Sequence, residues 1–122
     1  MSGLAAGVRI YGIRQCDTMK RAIAWLDEHD IDYTFHDYKK HGIDRERVDL
    51  WCGKVGWEKL VNRRGTTWRK VPEEMRDHID VERAIYLLVE YPTLIKRPVL
   101  EVGDELIVGF DAERYHWSLC TA

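Results

Sequence analysis

Three stretches at the head of the chain leave little freedom about its fold. Val8-Arg9-Ile10-Tyr11-Gly12-Ile13 alternates, with Val8, Ile10 and Gly12 on one face, and reads as a strand ending in a turn. Asp17 to Asp30 is amphipathic at helical spacing, with Met19, Ala22, Ile23 and Leu26 at i, i+3, i+4 and i+7. Tyr33 to Tyr38 is a second β-rich run. A strand, a helix and a strand in that order form a βαβ unit, whose two strands run parallel because the helix carries the chain back before the second begins.

The tail supplies the other part of a mixed sheet. Val99–Val102 and Glu105–Val108 flank Gly103-Asp104, a two-residue hairpin turn, and Asp111 caps a last helix containing Ala112, Tyr115 and Leu119. In between, over about residues 42–91, the pattern is helical. Asp44 caps a helix reaching about Val55, with Val48, Trp51, Cys52 and Val55 on its buried side. Trp57 to Val61 is a short helix, Arg63 to Lys70 a polar loop, and Pro72 opens another helix in its first turn. Asp80 caps a further helix with a stripe of Val81, Ala84, Ile85 and Leu88, stopped at Tyr91-Pro92. The expected fold class is α/β, with βαβ and ββα around one mixed sheet and a helical insertion between strands 2 and 3. That is the thioredoxin-like arrangement, although other small α/β folds share this order of elements. The 122 residues fit one domain, 8–122, behind a short disordered leader at 1–7.

Composition narrows the function classes. With 45% hydrophobic residues, a chain of this size buries roughly two-thirds of its unfolded surface without staples. The formal net charge of −2 argues against bulk electrostatic binding to nucleic acid. No apolar run approaches the roughly 18 residues of a membrane helix, and nothing at the N-terminus reads as an export signal. Three widely spaced cysteines, Cys16, Cys52 and Cys120, are not a disulfide framework, so a reducing cytoplasm is the expected compartment. The five histidines are scattered and no Cys/His spacing resembles a zinc site, so no metal is expected.

Cys16 is the residue with chemistry in its surroundings. It lies between the first strand and the first helix, where free N–H groups and the positive end of the helix dipole favour a thiolate, and Lys20 follows one turn on. Asp17 opposes that effect unless its carboxylate turns to cap the helix. The kinetic gain as an attacking group is small, since nucleophilicity falls as the thiol becomes more acidic; the larger gain is as a leaving group from a mixed disulfide. The plain alternative is a small residue filling a turn. Residue 19 is methionine, so there is no Cys-x-x-Cys and an external thiol must resolve any mixed disulfide. Cys52, on a buried stripe, reads as packing, and Cys120 as an inert exposed thiol.

Two further segments carry charge. Asn62-Arg63-Arg64-Gly65-Thr66-Thr67-Trp68-Arg69-Lys70 contains basic residues and no acid. It is either a solvated loop or an anion site, since Arg forks match carboxylates and oxyanions; a nucleic-acid patch with Trp68 for stacking is the weaker third reading. Lys96-Arg97-Pro98 precedes the third strand. In a thioredoxin-like fold that proline is cis and faces the cysteine turn, which would deliver Arg97 beside Cys16.

Tyr11-Gly-Ile-Arg-Gln-Cys-Asp-Thr-Met-Lys20, Asn62-Arg-Arg-Gly-Thr-Thr-Trp68 and Ile95-Lys-Arg-Pro-Val-Leu100, in that order, resemble the arsenate reductase (ArsC)/Spx family from about Val8 to Leu119. The resemblance implies a thioredoxin-like fold with a helical insertion and glutathione- and glutaredoxin-linked chemistry in the reductase branch. It carries the nucleophile onto Cys16 and the arginine before the proline onto Arg97, and it matches an Asn-Thr-Arg-Gly motif at Asn62, Arg64 and Gly65, with Arg63 in the variable place. The chain departs from arsenate reductases twice: Asn62 stands where they have an arginine, and Val108-Gly109-Phe110 lacks the oxyanion arginine after the last strand. The resemblance therefore points to the small YffB-like branch and a single-cysteine, glutathione-dependent thiol reductase. Cys16, Arg97 and Arg64 are the expected catalytic residues, and Asn62, Arg63, Lys20 and Pro98 the expected substrate- or glutathione-binding ones. No bound cofactor is expected; glutathione serves as co-substrate, with glutaredoxin and a small oxyanion or disulfide as further partners and no membrane. The alternatives are a true glutathione/glutaredoxin-linked arsenate reductase and a non-catalytic Spx-like regulator that binds RNA polymerase.

Overall fold

The computed structural model describes residues 7–120, so the leader expected at 1–7 lies, apart from Gly7, outside the described residues. In chain order the elements are β1 (Val8–Gly12), α1 (Asp17–Glu28), β2 (Thr34–Asp37), α2 (Tyr38–His41), α3 (Arg45–Val55), α4 (Trp57–Leu60), α5 (Thr66–Lys70), α6 (Glu73–Arg76), α7 (Val81–Glu90), a 3₁₀ turn (Pro92–Leu94), β3 (Val99–Val102), β4 (Glu105–Val108) and α8 (Ala112–Cys120). They fall into two compact units, one comprising the chain up to Asp37 and from Arg97 onward, the other Tyr38–Lys96.

The first unit is built on a four-stranded mixed sheet in the order β2-β1-β3-β4. β1 pairs parallel with β2, as the intervening helix requires, and antiparallel with β3, with Ile10 opposite Leu100 and Val8 opposite Val102. The Gly103-Asp104 hairpin sets Leu100 opposite Ile107, and Gly103 turns at φ +58°, a region that glycine enters without steric cost. One face of the sheet (Val8, Ile10, Leu100, Val102 and Ile107) packs on Met19, Ala22 and Leu26 of α1 and on Tyr115 and Leu119 of α8. These residues are buried because the strand period of two and the helical stripe point them at one another. Leu26 is fully enclosed, and its truncation to alanine costs about 2–5 kcal/mol. On the other face Tyr11 is also buried, and its hydroxyl donates to Glu101 Oε1 at 2.8 Å. βαβ and ββα around this sheet are the thioredoxin-like fold.

The second unit, Tyr38–Lys96, contains the helical stretch read at about 42–91. Tyr38 is fully buried and its hydroxyl donates to the Ile95 carbonyl at 2.9 Å, which ties the two ends of the unit together. The caps are as read: Asp44 Oδ1 accepts from the Arg47 N–H at 2.7 Å and Asp80 Oδ1 from the Arg83 N–H at 2.9 Å. Three details differ. Thr66–Lys70, expected within a loop, is a helix, because its residues find tertiary partners that outweigh weak propensity: the Thr67 and Thr93 hydroxyls lie 2.7 Å apart, and Arg63 and Arg76 both sit over the Trp68 ring. Val81 is 46% exposed at the first position of α7, and Leu87 joins Ala84, Ile85 and Leu88 in the buried set. Pro72 precedes α6 as its N-cap instead of lying in its first turn.

Candidate active site

Gly12 ends β1, and the chain turns through residues 13–16 into α1. A Cβ on Gly12 would run into the Met19 side chain, which is wholly buried beneath the turn. Only glycine lets Met19 lie against the strand there. Cys16 is the N-cap residue of α1, in extended conformation (φ −140°, ψ 128°), and no side chain caps the helix; Asp17 is exposed. The first-turn N–H groups are therefore open to the Cys16 sulfur.

The thiol is half-buried, and burial alone pushes its pKa up. The Met19 N–H, the Arg97 guanidinium and the Thr18 N–H that face the sulfur, with the Arg97 charge, overcome that effect and hold the thiol below its ordinary value. Arg97 thus stands at Cys16, and Pro98 follows it across a cis peptide bond, with the Pro98 carbonyl accepting the Gly109 N–H at 2.7 Å. Gly109 has φ +87°, so an arginine there would meet the steric cost of left-handed backbone, about 1–2 kcal/mol. The missing third arginine is consistent with this local turn.

The other expected site residues are described by their own surroundings. Lys20 is exposed and its backbone N–H donates to the Cys16 carbonyl at 2.9 Å. Asn62, Arg63 and Arg64 belong to the helical unit, where with Glu58, Val61 and Lys96 they line an open cavity of about 450 Å³. A short antiparallel bridge between Val61 and Ile95 builds it: the Asn62 N–H donates to the Leu94 carbonyl and the Lys96 N–H to the Leu60 carbonyl, both at 2.8 Å. Asn62 Oδ1 accepts the Arg64 N–H at 3.0 Å, and its amide nitrogen would lie 3.0 Å from a Cβ at Gly65. Arg63 rests 5.6 Å from the ring centroids of both Trp57 and Trp68, within cation–π range.

Sequence reasoning expected first-turn N–H groups at Cys16 without naming Thr18 and Met19, and did not name Glu58 or Lys96 as site groups. Backbone donors leave no residue signature beyond the strand–helix junction itself, and Glu58 reads only as an acidic residue in the first turn of a short helix. Cys52 is buried on α3, and burial, followed by the Asp49 and Glu58 charges, pushes its thiol up to about 11. Cys120 is exposed. Among the described residues no cluster of His, Cys, Asp and Glu could hold a metal ion, and no helix is long and apolar enough to cross a membrane.

Known proteins resemble this chain over most of its length. The ArsC family profile matches residues 11–117. A solved YffB protein is 49% identical, with a TM-score of 0.89 over 92% of this chain and 98% of its own. The solution structure of an arsenate reductase (ArsC) related protein from Brucella melitensis is 51% identical, with a TM-score of 0.72 over 91% of this chain and 92% of its own. A curated protein of Haemophilus influenzae without an assigned function is 39% identical over 88% of this chain and 95% of its own. The global transcriptional regulator Spx of Staphylococcus aureus is 26% identical over 87% of this chain and 82% of its own. The chain belongs to the ArsC family.

Proposed function

We propose that the protein is a thiol oxidoreductase that works through Cys16 alone and uses glutathione to complete its cycle. The observation that carries this reading is the Cys16 sulfur itself, held below its ordinary pKa by two backbone N–H groups and Arg97, with methionine three residues on where a second thiol would stand. The Cys16 thiolate attacks a sulfur of a disulfide between the substrate and glutathione. The S–S bond breaks, the substrate leaves as a thiolate, and Cys16 is left in a mixed disulfide with glutathione. A second glutathione thiolate attacks that disulfide, releasing glutathione disulfide and regenerating the Cys16 thiolate. A sulfur of lowered pKa suits the second step, because it departs readily. Arg97 holds an anionic group of the substrate beside Cys16, and Arg64 and Asn62 take a carboxylate of glutathione. Glutaredoxin and a reducing cytoplasm fit the same cycle.

Arsenate is a less suitable substrate. A multiply charged oxyanion needs several fixed donors to replace its water, and position 109 supplies no side chain. A lost charge-assisted hydrogen bond of about 1.5–3 kcal/mol, expressed in the transition state, slows the reaction about 10- to 150-fold. The test is NADPH consumption coupled through glutathione reductase, with a glutathione mixed disulfide and arsenate offered in parallel to the native protein and to Cys16→Ser. Mixed-disulfide turnover lost in Cys16→Ser supports the reading; rapid Cys16-dependent arsenate turnover overturns its substrate preference, and no turnover of either overturns the enzymatic reading.

The Spx relative motivates a second reading, a regulator that contacts RNA polymerase. Met19 deprives this chain of a Cys-x-x-Cys switch, so such a regulator would have to sense thiols through Cys16 alone. Retention of RNA polymerase on immobilised protein, with no turnover, would favour it.

A further inference from the structure

The cavity of the helical unit has a charge pattern that selects one end of a peptide. Arg63, Arg64 and Lys96 contribute cations and Glu58 an anion, around Asn62 and the apolar wall of Val61. Among the described residues none of Glu58, Arg64 and Lys96 takes part in an ion pair, so these charges are not spent on one another. Arg63 is braced between two indoles, and Asn62 is fixed by its own backbone and side-chain bonds. The volume of about 450 Å³ is that of a small-ligand site.

We propose that this cavity seats an α-amino-carboxylate: the ligand's ammonium meets the Glu58 carboxylate and its carboxylate meets Arg64 and Lys96, so that glutathione enters by its γ-glutamyl end. The assignment rests on the glutathione reading above and deepens it. A lone carboxylate, such as the glycine end of the peptide, would use the cations but leave Glu58 without a ligand cation and bring a second negative charge toward it. The γ-glutamyl end carries both charges on one carbon, which matches an acid and cations lining one cavity. Inorganic phosphate, a compact anion, would use the cations and be repelled by Glu58.

The test uses S-methylglutathione, whose blocked thiol removes Cys16 chemistry from the measurement, and NMR titration of the full chain. The expected result is perturbation of the Glu58, Asn62–Gly65 and Lys96 amides, with a Kd raised about 5-fold in Glu58→Gln. An analogue with a glutaryl group in place of γ-glutamyl, lacking only the ammonium, should bind the native chain about 5-fold more weakly and bind Glu58→Gln no more weakly than the native chain. Lys96→Gln should weaken both ligands. An unchanged or tighter Kd for S-methylglutathione in Glu58→Gln overturns the proposal. So does no binding of the peptide, or phosphate binding at these amides where the peptide does not. If mixed-disulfide turnover persists while Glu58→Gln leaves peptide binding unchanged, the γ-glutamyl assignment falls and the thiol-reductase reading stands. If S-methylglutathione binds as described and no Cys16-dependent turnover occurs, the reductase reading falls alone.

Discussion

The turn between β1 and α1 and the interior of α3 each hold a cysteine, and the two are chemically opposite. Both sulfurs experience burial, which disfavours the charged form. At Cys16 two N–H groups at the start of a helix and the Arg97 guanidinium outweigh it, and the thiol falls below its ordinary value. At Cys52 the helix has already used its N–H groups internally, the neighbouring charges are Asp49 and Glu58, and the thiol rises to about 11. The lesson is that reactivity follows from position along a helix and the sign of the nearest charges, and that degree of burial alone does not decide it.

The comparison breaks most directly by substitution. Cys16→Ser should lower mixed-disulfide turnover by at least about 10³-fold, because it removes the nucleophile. Cys52→Ala should leave turnover intact and cost about 1 kcal/mol of stability, read from chemical denaturation. Equal loss in the two variants would erase the distinction. Next in size is Arg97→Gln. Loss of a charge-assisted hydrogen bond to the thiolate should slow turnover about 10-fold or more, with the pH midpoint of Cys16 alkylation moving upward. Arg97→Lys should recover only part of this, since an ammonium lacks the two-pronged geometry.

Linkage gives a third test. The folded Cys16 pKa is depressed, so ionised Cys16 adds stability that is present above the unfolded thiol's pKa and lost as pH falls through the folded value. The stability difference between the native chain and Cys16→Ser should therefore grow in the native chain's favour as pH rises from acidic toward about 9. A flat difference would mean the thiolate is not selectively stabilised by the fold. The smallest effect is expected at Asp49→Asn, which should bring the Cys52 thiol down and raise its alkylation rate in mild alkali a few-fold. Burial, the largest cause, remains, so Cys52 should still lag far behind Cys16.

The sheet unit was legible from sequence because its elements obey the two simple periods. Val8 and Ile10, and Met19, Ala22 and Leu26, turn up in one core as their spacing requires. The helical unit was less legible where short segments depend on distant partners. Thr66–Lys70 is helical through contacts to Thr93, Arg63 and Arg76, and Tyr38 belongs to this unit through the Ile95 carbonyl. At the site, Cys16 announced itself by its place before a helix, and Arg97, far from it in sequence, reaches the turn through the sheet order β1-β3, which the thioredoxin-like reading of Arg97-Pro98 made legible.

The central claim is that Cys16 is the protein's poised thiolate, and the most direct measurement is the alkylation rate of each cysteine against pH, resolved by peptide mass mapping. The account predicts that Cys16 labels first near neutral pH, with a midpoint below that of an ordinary thiol, and that Cys52 labels appreciably only as pH approaches about 11. Faster labelling of Cys52 at neutral pH, or a Cys16 midpoint at or above the ordinary thiol value, would contradict it.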